Sequence, residues 1–290
     1  MHKNILIGEI GVNFINCTAL NSADIMRNAV IFWSENIAEH IKNLLRSYVG
    51  TTAVMEDRFK EHLKDYYEKF KQINQSFKSK ALGGSYYSDF LRTNTGFINL
   101  LERIKFEGFS GYPILQQSVF HYIYESRYVN AVFAAKNIAG NVLVTTYFLP
   151  FLNNAQNCIY NQMYFWSIIG AMHPSLLMGN NTFYNAINGY SKEFLTNICN
   201  SFNNICFRLS QVKKPIKKGP FLSIFEDFDT LNKEYLEFLA AVKRTNPKIF
   251  TLPSAVRLPA TFYEAVEHQI AEHGLVDEIN VNISKIFGMR

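Results

Sequence analysis

The chain has 290 residues, enough for two domains of ordinary size with a core each. Its 29 basic and 24 acidic residues leave a net charge of only +5, thinly spread, which argues against a dedicated nucleic-acid surface. The longest apolar stretch, residues 138–152, is broken by Gly140, Asn141, Thr145, Thr146 and Pro150 and is too short to span a bilayer; with no secretory signal at the N-terminus, a soluble cytoplasmic protein without membrane partners is expected.

Helical periodicity starts after about residue 20. Ser22 or Asp24 can cap a first helix whose apolar positions Met26, Val30, Trp33, Ile37, Ile41, Leu44 and Leu45 recur every three or four residues, ending near Gly50. A second helix over residues 56–77 carries Phe59, Leu63, Tyr66, Phe70 and Ile73 on one face, with Glu and Lys on the other. Gly83, Gly84 and Ser85 separate it from a third, over 87–106. A fourth follows Gly108 and Gly111 and opens on Pro113, whose missing N–H costs nothing in a first turn.

The second half repeats this plan. A helix over 156–178 gives way to the turn Gly179-Asn180-Asn181-Thr182, which also caps a helix running through Tyr184, Ile187, Phe194 and Ile205 to about Leu209. Lys213, Lys214, Lys217 and Lys218, interrupted by Pro215 and followed by Gly219-Pro220, read as a solvated loop before a helix over 224–242. Pro247, Pro253 and Pro259 then break the path to a last helix from Ala260. No segment alternates with period two at strand length. The expectation is an all-α protein of two tandem four-helix up-down-up-down bundles, residues 20–140 and 155–290, related by internal duplication.

The duplication is written most clearly in Phe32-Trp33-Ser34 and Phe165-Trp166-Ser167. Each tryptophan, expected to anchor a core, is followed seven residues later by a histidine, His40 or His173, two helical turns along the same face. Late in each half a histidine precedes a glutamate by one turn: His121 with Glu125, and His268 with Glu272. If the fourth helix packs beside the first, His40 meets His121 and Glu125, and His173 meets His268 and Glu272. Two imidazoles and one carboxylate with open positions suit a non-haem iron or manganese ion able to take a small ligand. A histidine on an apolar helix face is, however, often only a packed core residue, which leaves a non-catalytic structural or partner-binding helical protein as the alternative. His2, His62 and His273 have no counterparts and read as surface or outer residues. Cys17, Cys158, Cys199 and Cys206 lack metal-site spacing and read as buried small apolar residues; Cys199 and Cys206, two turns apart on one helix, cannot bridge each other.

Phe-Trp followed by a histidine in the first helix (Glu39-His40 in the first copy), a Phe-rich second helix and a late His-x-x-x-Glu helix, present in both halves, resemble the bacterial domain-of-unknown-function 2935 family over residues 22–280. The resemblance implies tandem ferritin- or haemerythrin-like bundles, and it places His40, His121 and Glu125, and again His173, His268 and Glu272, on the family's histidine and glutamate positions. Metal binding is implied, but no reaction. Ala29 and Gln162 depart from the acidic residue or histidine often found four before the tryptophan. Met172 replaces the acidic residue matched by Glu39, which is expected to support His40, and Pro174 is expected to disturb the backbone beside His173 and weaken the second site.

Overall fold

The structure, a computed structural model, describes residues 23–47, 57–79, 86–107, 113–133, 155–212, 218–251 and 258–287. The chain forms two compact units, Met1–Pro150 and Phe151–Arg290. The described residues are mostly helical and contain no strand. None of their helices is long and apolar enough to cross a membrane. The expected linker over residues 140–154, Cys17, His2, and Lys213, Lys214 and Lys217 lie outside the described residues.

In the first unit, α1 (Ala23–Ser47) buries Val30, Trp33, Ile37, His40, Ile41 and Leu44, one stripe at helical spacing. The helix α2 (Asp57–Lys78) buries Phe59, Leu63, Phe70 and Phe77, and α3 (Tyr86–Glu107) buries Phe90, Asn94, Phe97, Leu101 and Ile104. The helix α4 (Pro113–Phe133) begins on the expected proline. Apolar stripes dictate the neighbours: α1 packs on α2 and α4, α2 on α3, and α3 on α4. Phe70 meets Phe90 and Phe97 edge-on, with ring centroids 6.3 and 5.8 Å apart, a favourable quadrupole geometry.

The second unit has five helices among the described residues: α5 (Ala155–Met178), α6 (Asn181–Ala186), α7 (Gly189–Ser210), α8 (Lys218–Lys243) and α9 (Ala260–Phe287). The helix α5 packs on α7, α8 and α9, α7 on α8, and α8 on α9. Gly170 lets α5 approach α7 closely, since a Cβ there would fall 2.8 Å from the ring of Phe202.

Two expectations are corrected here. The helix read through Tyr184 to Leu209 is two helices, each with its own asparagine cap: Asn180 accepts from the Phe183 N–H and Asn188 from the Ser191 N–H. Between them Ile187 pairs with Phe250 in an isolated antiparallel bridge, with Asn188 N–H donating to Ile249 O and Thr251 N–H to Ala186 O, both at 2.9 Å. Those bonds replace the intrahelical ones lost at the break. The second correction is at α8, which starts at Lys218 rather than near residue 224 and takes Gly219-Pro220 into its first turn, where a proline forfeits only an N–H that has no helical partner. At its other end Thr245 adopts φ 51°, with Thr245 N–H bonded to Val242 O and Asn246 N–H to Ala241 O. This is the crossed pair of bonds that closes many helices, built here on a threonine instead of the usual glycine.

Candidate metal centre

Each unit gathers its three expected residues. On α1, His40 lies two turns beyond Trp33 on the buried face; on α4, His121 and Glu125 are one turn apart, and α4 packs on α1. His40 Nε2 is 3.2 Å from Glu125 Oε2, and His121 Nε2 is 3.5 Å from Glu125 Oε1. In the second unit, His173 on α5 and His268 and Glu272 on α9 repeat the pattern: His173 Nε2 is 3.0 Å from Glu272 Oε2 and His268 Nε2 is 3.2 Å from Glu272 Oε1. In both units a single carboxylate thus holds one imidazole on each oxygen, always through Nε2. Five of the six side chains are at least 98% buried, and His268 is 11% exposed.

The donor chemistry fits a metal ion. Each carboxylate faces two imidazole nitrogens from two helices, away from solvent, and buried His and Glu groups able to hold an ion are present. Burial alone would raise the Glu272 carboxyl, but the charges and hydrogen bonds of His268 and His173 outweigh it and hold the group well below the usual carboxylate range. Glu272 is therefore an anion, the form that ligates.

The tryptophans are buried as expected: Trp33 is fully covered and meets Tyr128 of α4 edge-on at 6.1 Å, and Trp166 is 3% exposed beside Phe165. The serines that follow them, Ser34 and Ser167, are also buried and bond back to their own helix, to Ile31 O and Met163 O.

One expectation about the surroundings is corrected. Glu39 does not support His40: consecutive helical residues point about 100° apart, and Glu39 turns outward to pair with Lys42 at 3.2 Å. Pro174 lies inside α5, which continues through it to Met178, and His173 makes the shortest imidazole–carboxylate contact of the four. Of the two readings open for His273, surface or outer, the structure shows the outer one, 2% exposed and against His173, whereas His62 is exposed. Cys199 and Cys206 are half-buried free thiols.

The partners of His273 are what the sequence does not show. Its Nε2 lies 3.0 Å from His173 Nδ1, its Nδ1 lies 2.7 Å from Asn232 Oδ1, and the Asn232 amide NH₂ donates back to the His273 carbonyl at 3.0 Å. Tyr235 of α8 packs edge-on against its ring at 4.8 Å, with its hydroxyl donating to Gln269 Oε1 at 2.7 Å. Burial, reinforced by the charge of His173 and opposed by that of Glu272, pushes the His273 imidazole well below the usual histidine range. The first unit is built differently at the matching point. Asn94 on α3 donates to the carbonyl of Ser126, the residue after Glu125, at 2.8 Å, as Asn232 on α8 donates to the residue after Glu272. Ser126 is too short to reach His121 or His40 as a ring would, and its buried Oγ makes no hydrogen bond. There His40 stacks on Tyr122 instead, with centroids 3.9 Å apart and planes 21° apart.

No protein-family model matches the chain, and no curated protein or solved structure matches it. The case for a metal centre therefore stands on these residues and their geometry.

Proposed function

We propose that this is a metal-binding protein of two tandem four-helix bundles related by internal duplication, similar to the domain-of-unknown-function 2935 family, in which each bundle uses two histidines and one glutamate to hold iron or manganese. The observation that carries the reading is the buried carboxylate with an imidazole Nε2 on each oxygen, made from the same helix positions in both units. The matched Asn94 and Asn232 contacts support the duplication, since nothing about metal binding requires an asparagine to grip the backbone one residue past the ligand.

Two neutral imidazoles and one carboxylate are an acceptable set for Fe(II) or Mn(II), and such an ion would supply Lewis acidity and, for iron, one-electron chemistry toward a small bound ligand. With a divalent ion the set carries a net charge near +1, so an anion or peroxide is the favoured class of ligand. The chain's own residues fix the donors: helix packing sets the imidazole positions, the glutamate balances charge, and the apolar surround keeps water out. The cytoplasmic placement expected from the sequence belongs to this reading.

One observation favours the alternative, a structural or partner-binding helical protein. The imidazole–carboxylate separations of 3.0–3.5 Å are ion-pair distances, which protonated imidazoles satisfy without a metal ion. Metal analysis separates the two. Protein purified without a nickel resin and supplied with Fe(II) or Mn(II) should retain bound metal, and the double variant Glu125→Gln, Glu272→Gln should retain none while its helical circular dichroism is unchanged. A wild type that holds no metal, or a double variant that holds as much as wild type, overturns the metal reading.

A further inference from the structure

We propose that Asn232 and His273 form a relay that fixes the tautomer of His173, leaving its Nε2 as a lone pair facing Glu272; this rests on the reading of His173 as a metal ligand. The argument is one of donors and acceptors. The Asn232 NH₂ donates to the backbone carbonyl of His273, an acceptor only, so the amide's orientation is set. Its Oδ1 then faces His273 Nδ1 at 2.7 Å, and because an amide oxygen cannot donate, Nδ1 carries the proton. Both His273 ring nitrogens are engaged, Nδ1 by an amide and Nε2 by His173, and neither touches a carboxylate. In the neutral ring a protonated Nδ1 makes Nε2 the acceptor. The proton in the 3.0 Å contact between the two rings accordingly belongs to His173 Nδ1.

The consequence falls at the far side of the His173 ring. With Nδ1 protonated, neutral His173 presents a bare Nε2 to the carboxylate oxygen of Glu272 at 3.0 Å. Two lone pairs at that distance repel, and the contact is favourable only when a cation, a proton or a metal ion, sits against both. Had the opposite tautomer been held, Nε2–H would satisfy Glu272 and a metal ion would first have to displace that proton. The relay instead commits Nε2, and not Nδ1, as the ligating nitrogen, with only a proton shared with Glu272 to be displaced. His273 and Asn232 are positioning residues: neither reaches the carboxylate, and both act through His173. The rings of Tyr235 and Phe202 beside His273, at 4.8 and 6.1 Å, hold the relay in register.

Long-range proton–nitrogen NMR of the histidine rings tests the assignment on the full chain. In metal-free wild type, above the ordinary histidine titration range, His173 should show a protonated Nδ1, and Zn(II) as a diamagnetic probe should shift Nε2 alone. In Asn232→Leu, which removes the acceptor without touching His173, a population with bare Nδ1 should appear, and Zn(II) affinity at His173 should fall about 10- to 100-fold, the usual cost of losing an outer hydrogen-bond partner. Asn232→Gln, which keeps a neutral amide acceptor and its NH₂, should restore the wild-type ring signal and serves as the readable variant if leucine prevents folding. A bare Nδ1 on His173 in wild type, or an Asn232→Leu protein with unchanged ring signals and affinity, overturns the relay. A wild type with the Nδ1–H signal that binds no Zn(II), Mn(II) or Fe(II) supports the relay as a tautomer device and overturns the metal reading alone.

Discussion

The two clusters share their inner residues and differ one shell out. Both set two Nε2 atoms on one buried carboxylate, yet the residue after the glutamate is Ser126 in the first unit and His273 in the second. The same asparagine grip on that residue's carbonyl serves a mute hydroxyl in one case and a hydrogen-bonded imidazole in the other. The same three buried groups are thus kept while a single neighbouring side chain changes what surrounds them. In the first unit the orienting contact is the stacked Tyr122 ring, which restrains the plane of His40 but says nothing about its proton.

The broadest test of that comparison is whether the scaffolds are equally strong. Trp33→Ala and Trp166→Ala each remove a buried anchor and should each cost about 3–5 kcal/mol, seen in denaturant melts. Unequal costs would show that the matching tryptophans do not do matching work. Next in size is His273→Ser, which gives the second unit the first unit's outer residue. Metal affinity there should drop about 10- to 100-fold, measured by competition with a chelating dye, with the His40 cluster unaffected.

Acid should separate the units further. His273 has a folded pKa depressed by burial, so its stabilising contribution is complete above the ordinary histidine pKa and is lost as pH falls through the window below it, where the unfolded chain binds the proton first. Glu272, also depressed, adds a second loss only below the ordinary carboxylate range. Metal-free protein should therefore lose up to ~1.4 kcal/mol per pH unit below about 6.5, and His273→Ser should flatten that slope in urea melts at stepped pH. The smallest effect is expected at Thr245, where a β-branched residue sits at φ 51°. Thr245→Asn, more tolerant of that conformation, should raise stability by about 0.5 kcal/mol, read as a melting temperature a degree or two higher, despite losing the 3.2 Å contact to the Tyr263 hydroxyl.

The parts legible in the sequence were those encoded by spacing along one helix. Trp33 to His40 and His121 to Glu125 are fixed by 3.6 residues per turn, so their shared faces could be read before any packing was known. What needed a partner helix was hidden. Asn232 and His273 are 41 residues apart and acquire their meaning only where α8 meets α9. An asparagine on the apolar face of α8 and a histidine beside Glu272 were the available signals. The break at Ile187-Asn188 was equally illegible, because the bonds that stabilise it come from residues 249–251. Glu39 misled for the opposite reason: adjacency to His40 in sequence is divergence in space on a helix.

Gly170 links these matters in an unexpected way. On an exposed helix, alanine in place of glycine is a gain of about 1 kcal/mol. Here the added methyl would press on Phe202, which also packs against the rings of Phe228 and His273. A substitution that helix propensity recommends for α5 would here be felt first as a displaced imidazole, so a library screened for thermal stability and one screened for metal retention should disagree at this position.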